Sequence, residues 1–185
     1  YKPGTILHIK NAIKCGATKE EIMEVFELTS VLGLHTLTMG VPVLVDELRK
    51  KGVDTTQIKL TAKQQKLKEH FKEQLGYWSE SFDHILTLDE EIFEAYLEFL
   101  TVPWRTGCLE PKIKDFIYIA VNASTTHLYE PGLRIHIQNA LNHGATKEEI
   151  LEVFELTSIL GLHTISMGVP ALIDVLDEIE KDIQG

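Results

Sequence analysis

One stretch of this chain is written twice. Tyr1 to Glu47 aligns with Tyr129 to Val175 without a gap, at an offset of 128 residues, and about two thirds of the aligned positions are identical. His8 falls on His136, the segment 16–22 (GATKEEI) on 144–150, and Gly40-Val41-Pro42 on Gly168-Val169-Pro170. Stacked solenoid units repeat every 20–50 residues or so, whereas a period this long marks a duplicated domain whose copies must fold alike. The second copy is preceded by residues 61–128, and nothing equivalent precedes Tyr1. The expected organisation is therefore residues 1–52 as the C-terminal half of a first repeat, 53–60 as linker, and 61–185 as a complete second repeat. By the same logic about 68 further residues are expected to complete the first copy.

The repeat reads as helices. Ile135, Asn139, Ala140 and Leu141 support a short helix closed by Gly144, since glycine tolerates the left-handed backbone just past a helix end. Thr146 to Glu149, and Thr18 to Glu21, have the pattern of a capping box, in which the Thr hydroxyl and Glu carboxylate each serve the other's amide. The next helix carries Ile150, Val153, Phe154 and Leu160 on one face. Gly-Val-Pro then predicts a break or a sharp kink, because proline lacks an amide hydrogen and suits the first turn of a new helix. Between the copies, 61–76 reads as an amphipathic helix and Asp89 as the cap of another running to about Leu100. The stretch 103–111 reads as loop, and Lys112–Thr126 as a helix burying Phe116, Ile117, Ile119, Ala120 and Ala123. No segment alternates at period two, so the fold class is all-α.

Eighteen Lys and Arg against 28 Asp and Glu leave a net charge of −10. That argues against nucleic acid or an anionic membrane as the principal partner, because both reward clustered cations. Apolar runs read as shorter than the roughly 18 residues of a spanning helix. Two cysteines, Cys15 and Cys108, form no CxxC pair and fit neither a disulfide framework nor a structural zinc site. A reduced, cytoplasmic protein is the expectation.

Taken in order, Leu109-Glu110-Pro111-Lys112, an apolar helix, a helix headed by His136, the GATKEEI segment and a closing Gly-Val-Pro resemble the carboxymuconolactone decarboxylase family. That family shares its all-α fold with alkylhydroperoxidase D. The resemblance covers nearly all of 61–180, with 1–50 as the latter half of another copy. Its peroxidase branch carries a Cys pair ahead of the histidine. Here those positions hold Tyr129 and Gly132, and in the first copy Tyr1 and Gly4. Without an attacking and a resolving thiol, dithiol peroxide reduction is excluded.

The decarboxylase branch also lacks the Cys pair. Its reaction takes carbon dioxide from an unsaturated lactone carboxylate and leaves an enol-lactone, a substrate that delocalises the developing charge itself. The resemblance thus implies no metal, flavin or pyridoxal cofactor; the protein holds the anion and delivers a proton. His136 is the implied proton donor or charge stabiliser. Arg134 is a carboxylate clamp if the start of the helix lets both side chains converge. Ile6 stands where the first copy would need that arginine, which leaves only the second copy competent. Tyr129 and Glu130 are expected at the mouth of the pocket, and His163 and His8 as further substrate contacts. For His163 and its counterpart His35, the competing reading is an imidazolium at the negative end of a helix. The family's decarboxylases carry a carboxylate near the position of Gly132, and this chain does not. A small-molecule substrate and a homotrimer with pseudo-sixfold symmetry are implied. The competing function is ligand binding or assembly on the same fold without chemistry.

Overall fold

Each copy of the repeat folds into three helices, the second and third joined by a single 3-10 turn. The computed structural model describes residues 2–55 and 57–184; Tyr1 lies outside them. Helix α1 spans Lys2–Lys14, α2 Lys19–Ser30, α3 Leu34–Lys50, α4 Ala62–Leu75, α5 Ser81–Leu88, α6 Glu90–Thr106, α7 Pro111–Ala123, α8 Glu130–Asn142, α9 Lys147–Ser158 and α10 Leu162–Gln184. No strand occurs among the described residues. Both expected capping boxes form, at Thr18/Glu21 and Thr146/Glu149, and Thr61/Gln64 makes a third at the head of α4. Gly144 takes the left-handed backbone, φ +83°, past the end of α8.

Gly-Val-Pro does not break its helix. Pro42 and Pro170 lie inside α3 and α10, so the expected break is corrected. The chain breaks earlier, in single 3-10 turns at Val31–Gly33 and Ile159–Gly161. Just ahead of each turn a Thr-Ser pair bonds back to its own helix. Thr29 Oγ1 donates to the Val25 carbonyl at 2.9 Å and Ser30 Oγ to that of Glu27 at 2.7 Å, and Thr157 and Ser158 repeat the pattern. Hydroxyls that bond back to their own helix favour a bend, and the glycine that closes each turn is a weak helix former. The stretch 77–88, given no element by the sequence, holds α5, and α6 runs through Pro103 to Thr106 where a loop was expected.

Packing divides the chain into two compact units, Tyr1–Ile117 and Tyr118–Gly185. In the first, α2 lies on α6, α3 on α5, and both α4 and α5 on α6. Its core is a knot of aromatic rings: Phe71 meets Phe82 at 5.0 Å, and Tyr77 and Trp78 edge-on at 5.3 Å each. The helices of the first copy supply Leu28, Val31 and Val45 to this core. Two stretches, Lys19–Lys50 and Lys147–Lys181, are by length and composition apolar enough to cross a membrane, which corrects the expectation that no such run exists. In the first, Leu28 to Val45 holds no Asp, Glu, Lys or Arg. Part of that stretch is core: Leu28, Val31 and Val45 are buried in the first unit.

Candidate active site

The buried side of α7 is polar, and this marks the site. Of the residues expected inside, only Ile119 is fully buried; the others in that row are Lys114, Asp115, Tyr118 and Asn122. Phe116, Ile117, Ala120 and Ala123 are half-buried. Burying hydroxyl, amide and charged groups costs free energy unless each is satisfied, so a helix that turns them inward is shaped by something other than stability.

In the second unit, Tyr118 and Asn122 face α8. The Tyr118 ring stacks on the imidazole of His136, centroids 4.4 Å apart and planes 24° from parallel. Both residues are almost wholly covered, at 6% and 9% exposure. Asn122 donates from Nδ2 to the Tyr118 carbonyl at 2.8 Å, and its carbonyl accepts from the Tyr129 amide at 2.9 Å. Asn122 Oδ1 is buried and accepts no hydrogen bond among the described residues. It points at Gly132, where an added Cβ would stand 2.7 Å from it and 2.8 Å from the Tyr129 ring. The glycine therefore lets the two helices close on each other at this point. Leu128, at φ +49°, turns the chain from α7 into α8. A left-handed backbone is uncommon for a residue with a Cβ, and such strain gathers at functional sites.

Several expected site residues are placed differently. His136 lies in the middle of α8, two turns in, rather than at its head, because α8 starts at Glu130 with a proline in its first turn. Arg134 and His136 do not converge: residues two apart on a helix point to nearly opposite sides. Arg134 is exposed and bonds Glu130 through Nε at 2.8 Å. Tyr129 is half-buried against the seam, with its ring 5.9 Å from that of His127, while Glu130 is exposed. His8 is exposed on α1, unlike its buried counterpart His136. His163 and His35 sit in the first turns of α10 and α3. That is the positive end of the dipole, so the reading of an imidazolium at a negative end is corrected.

A second buried polar cluster, missed by the sequence reading, lies in the first unit. Lys114 Nζ stands 2.9 Å from Glu24 Oε1 and donates to the Pro103 carbonyl at 2.5 Å. Glu24 Oε2 accepts from the amides of Cys108, at 2.6 Å, and Leu109, at 2.8 Å. Gly107 is required there, since a Cβ would overlap the Glu24 carboxylate and the Pro103 carbonyl. Burial pushes the Glu24 carboxyl up, but Lys114 and the two amides outweigh it and hold it below the usual carboxylate range. Desolvation and the neighbouring Glu24 carboxylate push the Cys108 thiol up, away from the reactive thiolate. A cleft of about 550 Å³, lined by Lys19, Met23, Glu27 and Thr106 among others, opens beside the pair. The signal that would have found the cluster is Lys114 itself, a charged residue at a position the helical period of α7 turns inward.

An all-α chain of capped helices, with a buried histidine stacked on a tyrosine in the seam between two of them, is a helical domain of the alkylhydroperoxidase D-like class. The model of the carboxymuconolactone decarboxylase family matches residues 90–177. A solved structure from Burkholderia xenovorans LB400, a provisionally named gamma-carboxymuconolactone decarboxylase subunit, is 48% identical with a TM-score of 0.90. The match covers 96% of this chain and 72% of that one. No curated protein matches. The chain belongs to the carboxymuconolactone decarboxylase family.

Proposed function

We propose that the chain is a cytoplasmic lyase of the carboxymuconolactone decarboxylase type, needing no cofactor and acting on a small anionic lactone or oxo-acid. The observation that carries this is His136, buried against Tyr118 in a seam that also holds Asn122 and Tyr129. In such a reaction the bond to the carboxylate breaks, carbon dioxide leaves, and the electron pair enters the conjugated lactone. His136 then delivers a proton to carbon, and the neighbouring amide and phenol groups bear on the developing enolate. Tyr118 covers one face of the imidazole and excludes water from it. Arg134, turned away and tied to Glu130, is left outside this chemistry.

The test is carbon dioxide release from carboxymuconolactone and related lactone acids. His136→Ala should lower turnover by at least about a hundredfold with its helix content unchanged. Arg134→Ala should stay within about threefold of the parent, as expected of a surface ion pair. An Arg134→Ala enzyme as impaired as His136→Ala would restore the clamp and refute this arrangement. Absence of turnover with every lactone acid would move the assignment to ligand binding or assembly on the same fold. The same reading makes the working assembly a trimer of duplicated chains, and light scattering that finds a monomer would sink that part.

A further inference from the structure

The second unit holds a buried polar atom with no donor. Asn122, 1% exposed, donates from Nδ2 to the Tyr118 carbonyl. A carbonyl can only accept, so the carboxamide is oriented and Oδ1 is the end left over. That oxygen is buried and accepts no hydrogen bond among the described residues. Nearly every buried acceptor in a folded protein has a donor, because leaving one without costs about as much as a hydrogen bond contributes. Packing gives no reason to keep it, since a leucine would fill the same inward position of α7 without an orphaned atom.

The place of this atom in the seam points to a ligand. Asn122 follows Tyr118 by one helical turn on α7, and Gly132, which it faces, precedes His136 by one turn on α8. Oδ1 thus lies about 5 Å along the seam from the imidazole, the span of a small ring with one substituent. Tyr129 closes the gap that Gly132 leaves: its ring edge stands 2.8 Å from where a Cβ would be. That ring is half-buried, so its rotation opens the gap to solvent without moving either helix. An acceptor there disfavours the carboxylate and carbonyl oxygens of a plain lactone acid and favours an O–H. An ammonium would also donate, but it would bury a charge. We infer that, with the His136 seam as the active site proposed above, Asn122 sets specificity by accepting a hydrogen bond from a hydroxyl of the ligand. The substrate class narrows to hydroxylated lactone acids.

Isothermal titration calorimetry with two saturated lactone acids, isocitric lactone and hydroxycitric lactone, tests this, since the second differs from the first by one hydroxyl. The hydroxylated lactone should bind the 185-residue chain at least about tenfold more tightly. In Asn122→Leu, checked by circular dichroism for unchanged helix content, the two should bind within about twofold of each other. Asn122→Asp, which keeps an acceptor oxygen, should keep the preference even as its added charge weakens both. Equal affinities in the parent chain, or binding of neither below about 1 mM, overturn the inference whatever the variants do. Equal affinities are also what an ordered water already satisfying Oδ1 would give. A preference that survives in Asn122→Leu overturns it too, because the hydroxyl is then read elsewhere. Carbon dioxide release is a separate reading. Turnover of plain lactone acids with no hydroxyl preference removes this inference and leaves the lyase, whereas a preference without any turnover removes the lyase and leaves the hydroxyl site.

Discussion

Replacing Gly132 by alanine sets two effects of opposite sign against each other. Gly132 is in the first turn of α8, and an alanine in a helix is favoured over glycine by up to about 1 kcal/mol. On propensity alone the variant is more stable. The added methyl, however, would stand 2.7 Å from Asn122 Oδ1 and 2.8 and 3.0 Å from two carbons of the Tyr129 ring. Asn122 has no room to yield, being 1% exposed and held by its bond to the Tyr118 carbonyl. Overpacking of this kind costs about 1–3 kcal/mol, so the net is a loss of roughly 0–2 kcal/mol, centred near 1. For a chain of this length that lowers Tm by about 2–4 °C. Gly168 in α10 is the internal control, since a Cβ there meets nothing within 4 Å. Gly168→Ala should raise Tm by about 2–4 °C, the propensity term acting alone. Thermal unfolding followed by far-ultraviolet circular dichroism separates the cases. If both variants rise together, the close approach of α7 and α8 at Asn122 is not as described.

The twin glutamates should differ sharply. Glu24→Ala strands the buried Lys114 ammonium and should cost about 3–5 kcal/mol in urea unfolding, while Glu152→Ala should change stability by less than about 0.5 kcal/mol. Equal losses would mean that the Glu24 pair is not buried as described. Acid should act through the same group: its folded carboxyl lies below the unfolded value of about 4.3, so its contribution is complete above that value. It fades as pH falls through 4.3 or so and on through the folded value, and Glu24→Gln should flatten this limb of the Tm profile between about pH 5 and 3. Cys108, with its thiol held up by desolvation and by Glu24, should react slowly with iodoacetamide near pH 8, and Glu24→Gln should speed it severalfold, as peptide mapping would record. An unchanged rate would remove the carboxylate as the cause.

Much of the fold was legible because it is written in local chemistry. Thr18/Glu21 and Thr146/Glu149 announce their helices through atoms three residues apart, and Gly144 its helix end through a backbone only glycine takes easily. The break at Gly33 was misplaced to Pro42 because proline is a louder signal in sequence than two hydroxyls that turn back on their own helix. The site was half legible. His136 stood out, but its partners Tyr118 and Asn122 did not, because periodicity assigns apolar residues to the inside and α7 turns a polar row inward. The Glu24–Lys114 pair joins residues far apart in sequence, and no local pattern encodes which lysine a glutamate will meet.

That separation also sets a timetable for synthesis. A ribosome adding about 5–20 residues per second needs roughly 5–18 seconds to travel from Glu24 to Lys114. Until then the uncharged run from Leu28 to Val45 has been made and its cover, α5 and α6, is not yet complete. For those seconds α2 and α3 lack the helices that cover them in the finished fold. The yield of the chain in a cell therefore rests on the speed of translation and on the factors that shield apolar nascent chain as much as on the stability of the finished fold.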